Sequence, residues 1–413
     1  MTRAAIHLVE TGKTRPSMRT LELIARKTGR PASYFLPAWD GTDEQRAARD
    51  ELQRLFETEE FPVALELGGR LLEQALAPGI EADVRFYLGG THVRLHDGRG
   101  ALPHVVRARQ LYEEVGDPTM VVEALDQEAT AHSLVLDPRA LAIALDALRR
   151  CELLRPARPA LQVRILLHAG STCQRNGDAR SATRFLEMGL ELARTAPNPR
   201  HIAMLHDALS LTNQELGRFA EAIEHAQRAI RLYAMDRDAR SLARIENNLG
   251  HVLLRQGQFE AAEVHLRRAL RLCDERGLER QGRAYVLCSL AELHTATSRL
   301  DEAEACAGEA LRIAQSHGET VTQARAWRLQ GMVSHRRHDE AATDAAYEES
   351  IRLLRTLDMP DRLRECLVQY AEVLQERGQL ERSIEHWREA AGATRTPSET
   401  RHGVAPRRGA IGA

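Results

Sequence analysis

From Ala243 to Asp274 the apolar positions fall into two helical stripes with a break between them. Ile245, Leu249, Val252 and Leu253 form the first stripe, and Ala262, Leu266, Ala269 and Leu270 form the second. Gln256-Gly257-Gln258 separates them, and the reset predicts a turn in which Gly257 takes a left-handed conformation just past the first helix. Gly250 and Ala262 are small, as two antiparallel helices need where they approach closely. A single hairpin cannot bury both of its faces, so the pattern predicts neighbours stacked on it.

The neighbours recur at a spacing of about 40 residues. Stepping from Ala262 reaches Ala222 and Ala182 upstream and Ala303, Thr343 and Ser383 downstream, each small and early in a second helix. Four positions later stand Leu186, Ala226, Leu266, Ala307, Tyr347 and Trp387, a slot with no fixed size. Continued along the chain, the pattern predicts an all-α array of about nine hairpins over residues 44–391. The first pairs Glu44–Thr58 with Phe61–Ala75 and is broken by Pro78-Gly79; the second pairs Val84–Leu95 with Ala101–Val115; the last ends in Leu380–Ala391.

Small residues early in each second helix, with Leu249-Gly250 in a first helix, resemble the tetratricopeptide repeat family. The aromatic positions of that family are mostly aliphatic here, in keeping with an aromatic content of 4%. The resemblance implies a right-handed superhelix whose first helices line a concave surface that binds a peptide or protein segment. On that surface Asn247, His251 and Arg255 share one helical face, with Asn248 beside them, and an asparagine amide can pair with both polar groups of a peptide backbone. These four residues are the candidate partner-binding set. The corresponding face of other hairpins carries Gln174, Arg175, Asp207, Gln214, Arg328, His335 and Arg336.

The formal charge of −2 over 413 residues hides an asymmetry. Met1–Arg30 holds seven basic residues against Glu10 and Glu22, a local excess of +5 that leaves −7 for the remainder. Within this basic stretch Ile6, Glu10, Gly12 and Pro16 fall in the order I-x-x-x-E-x-G-x-x-x-P, and residues 1–36 resemble the second half of a Cro/C1-type helix-turn-helix domain. The resemblance makes Arg3–Thr11, capped by Thr2, the recognition helix. Arg3 would then read guanine, Ala4 and Leu8 would make apolar base contacts, and Lys13, Thr14 and Arg15 would hold phosphates. In that family two helices precede the recognition helix, whereas only Met1 precedes Thr2 here, so the expected start of the domain lies upstream. Residues 37–43 read as a linker, and residues 392–413 lose periodicity and read as a disordered tail.

Other classes find no support in the sequence. No stretch approaches the roughly 18 apolar residues of a membrane span, and no signal-peptide pattern opens the chain, so a cytoplasmic location is expected. Six cysteines are scattered without a CxxC pair, and seventeen histidines form no metal-ligand spacing; no metal or cofactor is expected. No nucleophile elbow, phosphate loop or paired carboxylates point to catalysis. The expectation is a homodimeric DNA-binding regulator whose repeats sense a peptide or protein. The alternative is an interaction scaffold with a vestigial head.

Overall fold

The computed structural model describes residues 41–275, 277, 282–357 and 359–392. The proposed DNA contacts Thr2, Arg3, Ala4, Leu8, Lys13, Thr14 and Arg15, and residues 393–413 of the tail, lie outside them. Eighteen α-helices and no strand occur among the described residues, and they pair into nine antiparallel hairpins. The all-α hairpin array and its period are as the hydrophobic pattern predicts.

The helices pack as two compact units, one ending at Asp236 and the next beginning at Arg237. The first unit contains α1 Asp43–Glu57, α2 Phe61–Leu72, α3 Pro78–Arg94, α4 Gly98–Val115, α5 Pro118–Leu134, α6 Arg139–Leu153, α7 Pro159–Arg175, α8 Ala179–Ala193, α9 Pro199–Glu215 and α10 Phe219–Met235. The second contains α11 Ala239–Arg255, α12 Phe259–Glu275, α13 Arg283–Ala296, α14 Leu300–Ser316, α15 Thr320–Arg336, α16 Glu340–Thr356, α17 Pro360–Glu376 and α18 Leu380–Gly392.

Helix ends are written in the sequence. Proline opens α3, α5, α7, α9 and α17, where its missing N–H costs nothing because the first-turn donors have no intrahelical acceptor. Asp97, Asp178, Asn198, Asp238 and Asp339 cap helices with side-chain oxygens. At the end of α11, Gly257 has φ +73°. Its N–H donates to the Leu254 carbonyl, and the Gln258 N–H donates to the Leu253 carbonyl, which closes the helix. Two boundaries depart from the pattern. Helix α3 starts at Pro78, six residues before Val84, because Pro78 is its first residue and so begins this helix. Helix α4 starts at Gly98 and carries Pro103 within it.

The core lies between paired helices. Ala182, Ala222, Ala262, Ala303, Thr343 and Ser383 are all buried, and so are Leu186, Ala226, Leu266, Ala307 and Tyr347 four positions on. Trp387 alone of that second series is exposed. A Cβ placed on Gly250 would sit 2.6 Å from Leu266 Cγ and 3.2 Å from the Ala262 carbonyl oxygen, so glycine sets the distance between α11 and α12. All six cysteines are free thiols, and burial pushes Cys288 and Cys366 up to about 11, so they pack as small apolar groups.

Candidate functional site on the first helices

Along much of their length the first helices of the hairpins satisfy one another. In the first unit Asp126, buried on α5, accepts from Arg164 Nε at 2.9 Å and lies 2.8 Å from His168 Nδ1, both on α7. Arg175 donates to Ser133, and Gln174 donates to Glu215. In the second unit His335 meets Glu376 at 2.9 Å, and Arg328 donates to Gln369 at 2.5 Å. Each contact spans about one repeat. Polar residues that look free on one helix are therefore rungs between neighbouring helices.

The partner-binding set separates on α11. Asn247 is only 2% exposed, and its Oδ1 has no hydrogen-bond donor within reach. Asn248 is half-buried and Arg255 is exposed. His251 is half-buried, with Nε2 3.8 Å from Glu292 Oε1 on α13. His251 lines a cavity, and with Asn247 buried the face that joins it to Arg255 on one helix is not an open groove.

That cavity encloses about 230 Å³ among α11, α13, α15, α16 and α17. Val321, Ala324 and Leu354 supply its apolar lining, and Tyr285, Arg325, Arg328 and Arg362 supply an aromatic ring and three guanidinium groups. Tyr285 and Arg325 occupy equivalent positions 40 residues apart, and the Arg325 guanidinium lies 4.5 Å from the Tyr285 ring centre. The Arg325 side chain is 11% exposed; its Nη2 donates to Ser289 and Glu292, while its Nη1 has no acceptor. An unmade hydrogen bond on a buried group costs about 1–3 kcal/mol, so Nη1 is a donor left without its acceptor.

Charge in the cavity favours an anion. Two carboxylates, Glu292 and Glu365, face the three guanidinium groups. Burial opposes ionisation of Glu292, but the neighbouring His251 and the charges of Arg325 and Arg328 outweigh it and hold the carboxyl well below the usual range. Glu292 is thus ionised and committed to Arg325. Arg362 is exposed at the rim and makes no ion pair among the described residues. A second hollow of about 350 Å³ borders Arg283, which already holds Asp274 and Glu309.

Among the described residues, no group of three or more His, Cys, Asp or Glu side chains is arranged to hold a metal ion, and no helix is long and apolar enough to cross a membrane. Sequence reasoning missed Tyr285, Glu292, Arg325 and Arg362. Following one slot from hairpin to hairpin, instead of one face along a single helix, would have aligned Tyr285 with Arg325.

Comparison with known proteins agrees with the fold. The family profile described as tetratricopeptide repeat matches residues 161–235 and 241–316. A stretch of 126 residues, 30% of the chain, is 36% identical to "Regulatory protein AfsR" of Streptomyces griseus and spans 13% of that protein's length. Among solved structures, the apo form of the quorum sensor NprR from B. thuringiensis is similar over 85% of this chain and 99% of that one, with a TM-score of 0.63 and 14% identity. NprR in complex with its cognate peptide NprX is similar over 85% and 98%, with a TM-score of 0.54 and 12% identity.

Proposed function

We propose that this chain is a ligand-sensing regulator in which the hairpin array takes an extended peptide and a basic N-terminal head binds DNA. The observation that carries the ligand half is the cavity of Tyr285, Arg325 and Arg362, with an unfilled Nη1 on a buried guanidinium. Its volume of about 230 Å³ is below the roughly 300–1,000 Å³ of whole-ligand pockets, so it takes one residue of a longer ligand. That residue lays an apolar side chain on Val321 and Leu354 and turns an anionic oxygen toward Arg325 and Arg362. The remaining polar rungs of the first helices position the backbone on either side. A quorum sensor of similar fold has been solved with a cognate peptide, and the stretch shared with a regulatory protein supports a regulatory setting.

The DNA half rests on the order of residues 2–36. In this reading Thr2 caps the recognition helix, Arg3, Ala4 and Leu8 contact bases, and Lys13, Thr14 and Arg15 hold phosphates. A homodimer would set two heads against paired half-sites. Peptide binding at α13, α15 and α17 would then favour one packing of the hairpins, and so one spacing of the heads.

Fluorescence anisotropy with pools of labelled random octapeptides tests the ligand half. The wild-type chain is expected to retain peptides that Arg362→Gln and Tyr285→Ala each bind about tenfold more weakly, a loss of ~1.4 kcal/mol. Arg362 is exposed and forms no ion pair among the described residues, so its replacement is expected to leave the fold intact. Equal binding by wild type and both variants, or no binding of any pool, contradicts the reading.

A further inference from the structure

Helix α18 carries an apolar stripe with no cover among the described residues. Leu380, Ile384 and Trp387 are 58%, 48% and 39% exposed, and they follow the 4-3 spacing of a helix-packing seam. In the preceding hairpin the residue matching Trp387 is Tyr347, which is buried, so this face of a second helix is built to be covered.

The kind of cover is marked by a change at one position. In the three hairpins before it, the residue equivalent to Ile384 is acidic and holds an arginine of the next hairpin. Glu263 binds Arg299 at 2.9 Å, Glu304 binds Arg337 at 2.7 Å, and Asp344 binds Arg377 at 2.8 Å. Ile384 breaks this series, as Ile223 does in α10, and puts an apolar side chain where the three preceding hairpins carry a carboxylate. The charges beside the stripe are Glu381 and Arg388, both exposed and without a partner among the described residues. They flank the seam on one side. Two such helices running antiparallel place Glu381 of one beside Arg388 of the other, twice, and bring Ile384 against Trp387 of the partner subunit. A parallel arrangement does not bring these two charges together.

We infer that α18 is a self-association surface and that its occupant is α18 of a second copy, packed antiparallel about a two-fold axis. The inference assigns a surface to the dimer of the proposed function, and its test reads mass and not ligand binding, so the two stand or fall separately. One 13-residue helix per subunit makes a contact at the small end of specific interfaces, so dissociation constants of about 1–100 µM are expected.

Sedimentation equilibrium of the full chain tests it, using wild type, Ile384→Glu, Glu381→Arg, Arg388→Glu and the double charge reversal. Ile384→Glu is expected to weaken the dimer about a hundredfold or more, because each dimer loses two buried apolar side chains and gains two charges. Each single reversal sets like charges together and weakens the dimer about tenfold, and the double reversal restores it to within about threefold. The substituted positions are exposed, and unchanged thermal midpoints check the fold. A wild type that stays monomeric to about 300 µM, a dimer that Ile384→Glu leaves intact, or a double reversal no stronger than the singles overturns the inference.

Discussion

Replacing Gly250 by alanine tests how the hairpins are held together. The added Cβ lies 2.6 Å from Leu266 Cγ, 2.7 Å from Leu266 Cδ2 and 3.2 Å from the Ala262 carbonyl oxygen. The side chain of Leu266 is fully buried, and the Ala262 carbonyl belongs to the backbone of α12, so neither can move away cheaply. Overpacking of this kind costs about 1–3 kcal/mol. Alanine recovers about 1 kcal/mol of helix propensity, which leaves a net loss of up to about 2 kcal/mol. Gly308, within α14, supplies the control, because nothing lies within 4 Å of a Cβ placed there. Gly308→Ala collects the propensity term alone and stabilises by about 0.5–1 kcal/mol. Urea unfolding gives the two signs, and hydrogen exchange localises the loss in Gly250→Ala to α11 and α12. Equal effects at the two glycines would refute close approach as the reason for glycine.

Acid stability follows from the buried histidines of the first unit. Burial lowers His206 to about 4, helped by His225, whose Nδ1 lies 2.9 Å from its own, and burial with His92 and Arg85 lowers His104 to about 4. Unfolded histidine titrates near 6.5, so between pH ~6.5 and ~4 the unfolded chain binds more protons and stability falls as pH falls. His206 alone accounts for about 3 kcal/mol over that window, and His206→Gln flattens the pH dependence of the urea midpoint; an unchanged slope would exclude this source. In the proposed DNA-binding head, Arg3→Ala relaxes base preference, whereas Lys13→Ala weakens binding uniformly and lowers the salt slope by about one. Equal loss on all sequences from both changes would count against these roles.

Contacts within a hairpin were legible in the sequence, and contacts between hairpins mostly were not. Ala182, Ala222, Ala262 and Ala303 announce the close approach because a small residue at a fixed period has few other uses, and all four are buried. Asn247 misleads for the opposite reason. It shares a helical face with His251 and Arg255, but it also neighbours fully buried Glu246, which His265 meets at 2.6 Å and Arg268 at 3.0 Å. Burial at that depth is set by partners on α12 that a single-helix reading does not weigh. The cavity was missed because its walls come from five helices, and Arg325 looks ordinary until Tyr285 is placed beneath it. The α18 stripe is visible in the sequence as an apolar seam, yet its exposure among the described residues is seen only in the structure.

The central claim, that the first helices of the second unit read a peptide, is tested most directly by hydrogen exchange of the full chain with and without a peptide pool that it retains. The account predicts slowed exchange in α13 around Tyr285–Glu292, in α15 around Val321–Arg328 and at the start of α17 near Arg362, with α12 and α14 unchanged. Protection confined to second helices, or none at saturating peptide, would contradict it.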